Sequence, residues 1–394
     1  MSYSLPVNWQ WTSISQINDI ASTEFAQLKP SSNVGDVFLY REFLAALEQS
    51  NSVGEKTGWI PSHIIITDEH ELVAFLPAYI KHHSYGEYVF DHSWAHAYQQ
   101  NGLAYYPKLS HCIPFTPVTG PRMLLKDGIT PEQVIAFLGQ HKKQIMQQLG
   151  VSSWHSLFVT EDVSKESVNH GFHLRQSVQF NWHNNAFDSF DDYLSILTAR
   201  RRRSIKKERK GMHKQNVNIR RVVSHDITSE DLAFFYQCYK QTYLKRSGHH
   251  GYLTETFFMQ LLNTMCGNML LVIAHIDNKP VASALFLFNE HGLFGRYWGA
   301  IEEVSGLHFE VCYYQGIEFC IEQHIPFFNP GTQGEHKILR GFEPTLCYSC
   351  HSMLHDGFDQ AVADFVEREA PHILEYHTQS STLLPFNENH RRAN

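Results

Sequence analysis

The chain has 394 residues, of which 43% are hydrophobic, 13% aromatic and 18% charged, with a formal net charge of −8. That length exceeds one average domain and suffices for two with separate cores, and the composition excludes disordered and fibrous classes. The acidic balance argues against duplex DNA as a partner. The most apolar stretch, Leu270 to Phe288, is interrupted by His275, Asp277 and Lys279, so no transmembrane segment is expected. The start, MSYSLPVNWQW, has neither a basic nor an apolar signal region, which leads to a cytoplasmic expectation. Seven cysteines, an odd number, point to reduced thiols over a disulfide framework.

In chain order, Val37 to Gln49 is expected to be a helix, and His63 to Ile80 a hairpin turning at Asp68-Glu69-His70-Glu71. His92 and His96 are spaced for one helical face, but there is no HExxH, and no metal site is expected. Ile113 to Phe115 reads as a short strand. Thr130, Pro131 and Gln133 form a capping box for a helix that stops at Gly150. Leu157 to Thr160 and Phe172 to Trp182 follow as strand candidates. Arg200 to Lys210 carries eight basic residues and one acid. Tyr193, Leu194, Leu197 and Ile205 lie at helical spacing beside it, so it reads equally as a phosphate-attracting patch or as the wet face of a helix.

Further along, Ser229 is expected to cap a helix through Lys245, and Thr254 another through Met265. Met269 to Phe288 reads as a second hairpin, turning at Asp277 to Pro280, followed by the strand Leu293 to Trp298. A helix from Leu307 to His324 leads into a buried strand, Ile325 to Phe328. Cys347 to His351 spells CxxCH, the pattern of haem attachment, but within the strand-like run LCYSCHSML; it is read as strand. The two hairpins, and the pair Ile113-Pro114-Phe115 and Ile325-Pro326-Phe327, recur at nearly one spacing. That suggests a duplicated mixed α/β domain, divided as 1–190 and 191–394.

The segment GTQGEHKILRGF, Gly331 to Phe342, places acid, base and donors directly behind the Ile325 to Phe328 strand. Carboxyl ends of strands are where open α/β sheets bind ligands. No GxSxG, P-loop or GxGxxG occurs, which leaves acyl-transfer chemistry: a base for an ammonium proton, donors for an oxyanion and an acid for the leaving group. Glu335 and His336 are candidate bases, and Tyr313, Tyr314 and His308 candidate proton donors. Gln333, Lys337 and Arg340, with Arg296 and Trp298, are candidates for holding substrate or an anion. In the first half Tyr88, Asp91, Trp94 and Lys108 are expected to line a pocket. Arg201, Arg202 and Lys206 are the expected donor-binding cations.

GRYWGA (Gly295 to Ala300), LHFEVCYYQGIEFCIE (Leu307 to Glu322) and GTQGEHKILRGF together resemble the FemAB-like peptidoglycan biosynthesis or recognition subgroup of the GNAT superfamily. TGWIPSHI, HSYGEYVFDHSWAHAY, YYPKL and PFTPVTGPR, from Thr57 to Arg122, extend the resemblance over nearly the whole chain. It implies tandem GNAT-like domains and N-acyl transfer from a thioester such as acyl-coenzyme A to a small or peptide amine. The Q/RxxGxG/A turn that holds coenzyme A in that superfamily is absent between Trp298 and Leu307, where only Ile301 to Gly306 intervenes. Fem-type relatives instead take an aminoacyl group from charged tRNA, for which Arg200 to Lys210 would be useful. A noncatalytic protein binding a small amine or a peptidoglycan fragment is the alternative from a different class.

Overall fold

The capping box at Thr130 forms as expected: its hydroxyl accepts from Gln133 N, helix Pro131–Leu149 follows, and Gly150 closes it in the left-handed conformation. The computed structural model describes residues 8–390 apart from Gln333 and Asn389. These divide into two units, one running up to Ser177 and regaining Leu346–Glu375, the other comprising Val178–Thr345 and the chain from Tyr376 on. The observed division therefore differs from 1–190 and 191–394 in its first boundary, at Ser177, and in the returning segment. Met353, Val362 and Val366 pack with Trp94, Tyr98 and Tyr105 in one apolar cluster, which ties Leu346–Glu375 to the first unit.

The first unit holds a sheet in which Trp9–Ile14, His63–Asp68, Glu71–Leu76, Leu124–Lys126 and Leu28–Pro30 are successive neighbours. The expected hairpin is the His63–Asp68 and Glu71–Leu76 pair, with Ile64 opposite Leu76. A second group orders Trp59–Pro61, Ala78–Lys81, Lys108–His111, Ser153–Val159 and Glu343–Met353. All seven residues of Ser153–Val159 are buried, as befits a strand covered on both faces. Strand Lys108–His111 runs parallel to Ser153–Val159. Trp154, Leu109, Phe137 and Ile145 belong to the core that helix Pro131–Leu149 covers.

In the second unit the order is Val217–Val223, Met269–Ile276, Lys279–Asn289, Gly292–Ala300, Phe327–Asn329, with the end of His173–His183 beside the last. Its hairpin turns through Asp277 and Asn278, both at positive φ, the geometry of a two-residue I′ turn. Helix Ser229–Ser247 packs so closely on Gly292–Ala300 that a Cβ on Gly299 would lie 1.9 Å from the Cys238 carbonyl oxygen.

Several expectations shift. Val37 to Gln49 is a 3-10 turn, Asp36–Leu39, then helix Arg41–Gln49, because Tyr40 between them is extended. Ile113 to Phe115 is not a strand: Phe115 takes φ 57 in an irregular loop, and the neighbouring strand is Lys108–His111. The Ile-Pro-Phe repeat thus pairs unlike structures, whereas the two hairpins are both present. The cap of helix Ser229–Ser247 is Thr228, one residue earlier, because its hydroxyl bonds Asp231 N and the Asp231 carboxylate returns to Thr228 N. Cys347 to His351 is strand, and all seven cysteines are free.

Candidate active site

Strand Gly292–Ala300 runs parallel to Phe327–Asn329 through the pairs Leu293–Phe328 and Phe294–Asn329, then continues to Ala300 beyond that partner. At the end of the short strand the buried Asn329 amide donates to Gln179 Oε1 (3.0 Å) and Asn181 Oδ1 (2.8 Å). Its own oxygen accepts from Gly331 N at 3.0 Å. This clamp fixes where GTQGEHK leaves the sheet, and the segment then winds into the 3-10 turn Glu335–Arg340.

The facing helix is not regular. It is α over Leu307–Phe309, π over Glu310–Tyr314 and α again over Gln315–Glu322. A π-turn widens the helix and re-aims its side chains, and such turns are frequent at functional sites. Arg209 spans this one, bonding Glu310 at 3.0 and 3.2 Å and Glu318 at 2.6 and 3.0 Å. Replacing Arg209 with methionine is expected to lower the thermal midpoint of the second unit by several degrees, because Glu310 is buried and would lose its charged partner. Scanning calorimetry checks this; an unchanged midpoint would show that the pair does not hold the turn.

Across from it, the Tyr313 hydroxyl and His336 Nε2 are 2.8 Å apart. Burial pushes the Tyr313 phenol far up, so it stays protonated. Burial, with the Arg340 and Lys337 charges, holds His336 below its ordinary value, so its imidazole is neutral at pH 7. His308 lies 6.0 Å from His336 and 4.9 Å from Trp298, ring to ring. Its imidazole is pushed down to about 3, first by burial and then by the surrounding cations. A neutral base beside a protonated phenol is the pairing that acid–base chemistry requires.

Lys337 is buried, its ammonium donates to the Gly331 carbonyl, and burial lowers it to about 7. Arg340 lies 3.5 Å over the Phe309 ring and donates to Tyr314 Oη (2.9 Å), the His336 carbonyl (2.9 Å) and Glu208 Oε2 (2.8 Å). Tyr314 also donates to Glu208. Beside this cluster a cavity of about 600 Å³ opens, lined by Trp298, His308, Phe309, Gly306 and, from the neighbouring helix, Lys245 and Arg246. That volume suits a small-molecule site.

The first unit carries a separate buried polar network. Lys108 Nζ donates to Glu87 Oε2 (2.7 Å), Ser84 Oγ (3.0 Å) and Asp91. The Tyr105 hydroxyl donates to Asp91 at 2.6 Å and lies 3.2 Å from His155 Nε2. His155 Nδ1 in turn meets His351 Nδ1 at 2.7 Å. Lys81 sits 3.5 Å over the Trp59 ring, and burial lowers it to about 7. Trp94 stacks on His155, and its indole N–H and Asp91 Oδ1 are buried without a hydrogen-bond partner.

The structure thus brings His336, His308 and Trp298 together, and of the two adjacent tyrosines it is Tyr313 that reaches His336, while Tyr314 turns to Glu208 and Arg340. Glu335 is exposed and accepts from Tyr376 Oη at 2.9 Å, away from the histidine pair. Arg296 lies on the same strand, half-buried. Gln333 is outside the described residues. Lys108, Asp91 and Trp94 lie together in the first unit, whereas Tyr88 is half-buried at φ 62. Arg201 and Arg202 are half-buried on helix Ala199–Lys214, and Lys206 pairs with Asp191 at 2.7 Å. Glu208, Arg246, His155 and Lys81 were missed as site residues; only Glu208, the single acid in a basic run, left a signal. Among the described residues no group of three or more His, Cys, Asp or Glu side chains is placed to hold a metal, and no helix is long and apolar enough to cross a membrane.

The described chain is thus made of two mixed α/β units, with ionisable side chains grouped beyond the end of strand Phe327–Asn329 in the second. The chain belongs to the FemAB-like family, described as peptidoglycan biosynthesis/recognition, whose profile matches residues 16–388. Among solved structures it is similar to FemX, at 12% identity and TM-score 0.52, covering 84% of this chain and 96% of that one. It is also similar to a conserved protein of unknown function from Bacteroides thetaiotaomicron, at 12% identity and TM-score 0.51, covering 86% and 98%. A tandem GNAT protein from the clavulanic acid biosynthesis pathway matches at 8% identity and TM-score 0.45, covering 88% and 99%. No curated protein sequence matches the chain. The fold is the mixed α/β arrangement of FemX, and the FemAB-like membership is the one that the resemblance implied.

Proposed function

We propose that the second unit transfers an acyl group from a thioester donor to an amine, with Tyr313 and His336 moving the protons. The 2.8 Å contact between a phenol kept protonated and an imidazole kept neutral carries this reading. His336 accepts the proton of the incoming ammonium, and the freed amine attacks the thioester carbonyl. The C–N bond forms, the C–S bond breaks, Tyr313 supplies the proton to the departing sulfur, and the second proton that the attacking nitrogen sheds as the amide forms restores the phenol. The donor's place is the 600 Å³ cavity at the start of the Leu307 helix. Arg246, exposed at its rim and with no ion-pair partner among the described residues, is suited to a donor phosphate.

Thermal unfolding with acetyl-coenzyme A tests this. At a hundredfold excess over the dissociation constant, binding adds about 2.7 kcal/mol to the native state, and the shift is expected to shrink in Arg246→Ala. An unchanged midpoint across acyl-coenzyme A donors would remove the thioester reading. A charged-tRNA donor is the second reading, favoured by the concentration of arginines and lysines on helix Ala199–Lys214; it predicts hydrolysis-protected binding of aminoacyl-tRNA and no response to thioesters.

A further inference from the structure

Helix Ala199–Lys214 does three different things with its faces. Ile205 and Met212 enter the core. Glu208, its single acid, is turned to Arg340 and Tyr314. Arg209 spans the π-turn through Glu310 and Glu318. What remains is a row made of Arg200, Arg203, Lys207, Lys210 and Lys214, spaced by three and four residues, and all five are exposed. Such spacing lines them along one side of the helix over roughly 21 Å. Arg203 donates to its own helix at the Ala199 carbonyl, and none of the five has a carboxylate partner among the described residues. In a chain with net charge −8 this is a local reversal: Glu208, Glu310 and Glu318 are engaged inward, and the exposed Asp191 is taken by Lys206.

We infer that this row is a docking surface for an anionic lipid bilayer. Five unpaired cations on one helix face lie in the range that draws a helix to acidic headgroups. At the start of the same helix, Thr198 N donates to the Pro385 carbonyl at 2.7 Å and Leu197 bridges to Phe386. The adjoining Leu383 is 61% exposed. An exposed apolar side chain beside a basic face is the pattern of an interfacial contact. Single-stranded nucleic acid is less well matched, since its binding sites interleave cations with stacking rings, and this helix contains no Phe, Tyr or Trp. The surface lies outside the Tyr313–His336 pair and is independent of the thioester reading; the charged-tRNA reading claims the same helix, and binding of RNA or of acidic vesicles decides between the two.

Co-sedimentation of the full chain with vesicles tests it. Vesicles of equal parts phosphatidylcholine and phosphatidylglycerol are expected to carry the protein down at low salt, and phosphatidylcholine vesicles are not. Arg203→Gln combined with Lys207→Gln and Lys210→Gln should weaken the partition by roughly a hundredfold, as should raising the salt. Leu383→Ser should weaken it less, by a few-fold. Because the substituted side chains are exposed, circular dichroism and the thermal midpoint should stay as in the parent. Failure to bind the acidic vesicles, binding unaffected by the triple substitution, or binding to RNA in their place would each overturn the inference.

Discussion

Replacing His336 with alanine is expected to lower kcat/KM for acyl transfer by roughly a hundredfold to ten-thousandfold, the range over which positioned acid–base groups act. Thiol release from an acyl-thioester, followed with a chromogenic disulfide, checks it once an amine acceptor is identified. Tyr313→Phe should cost less, since water can protonate a departing sulfur, but it should remove the 2.8 Å partner that orients the ring. The pH profile carries a second signature. In the proposed transfer His336 is the neutral base, and burial together with Arg340 and Lys337 lowers its proton affinity. Activity should therefore be held through pH 6.5 and lost only as the pH falls below it, through the depressed pKa. A limb centred above 6.5 would assign the base elsewhere. Glu335→Gln serves as the contrast: its carboxylate is exposed and bonded to Tyr376, so the rate should change by less than about tenfold.

Lys108→Met is the substitution expected to harm stability most. Lys108 is fully buried and is the shared partner of Glu87 and Asp91, both of them also buried. Removing one partner of a buried ion cluster leaves the others uncompensated and costs about 3–5 kcal/mol. Calorimetry should show the first unit melting earlier, while Lys108→Met combined with Glu87→Gln and Asp91→Asn should recover part of the loss, because it removes the stranded charges. If the single and triple variants melt alike, the loss is one of packing. The pH dependence has a definite sign. Burial works to raise the Asp91 carboxyl, but Lys108 and His155, with the hydrogen bond from Lys108, outweigh it and hold it well below the ordinary range. Its contribution to stability is thus present above the usual carboxylate value and is lost as pH falls toward the depressed one. The Lys108→Met variant should lose that acid sensitivity.

Neither expectation depends on the other, since each concerns residues within one unit. The His336 pair reports on chemistry with an intact fold, and the Lys108 cluster reports on the fold of the first unit. A protein that kept its midpoint but lost transfer on His336→Ala would satisfy the first. One that lost its midpoint on Lys108→Met but retained normal His336 kinetics in the surviving fraction would satisfy the second. The noncatalytic alternative is separated by the same experiments, because a binding protein would show ligand-dependent stabilisation with no thiol release from either parent or variant.

Local signals alone determined much of this protein. Thr130, Pro131 and Gln133 dictate a helix start because a side chain three residues away satisfies an orphan N–H. Asp277-Asn278 dictates a hairpin because both residues tolerate positive φ. GTQGEHK was legible as a candidate site because polar residues crowd behind a buried strand. Only the tertiary structure decided which of these groups meet. Tyr313 and Tyr314 are equivalent in sequence, yet on the π-turn that Arg209 spans one meets His336 and the other Glu208. Glu335 and His336 are adjacent, yet a 3-10 turn points them apart. Lys108, His155 and His351 converge because three strands distant in sequence lie side by side. Caps and turns are short-range and written in neighbouring residues; which side chains are buried, paired or re-aimed depends on contacts across the fold, and no local pattern encodes them.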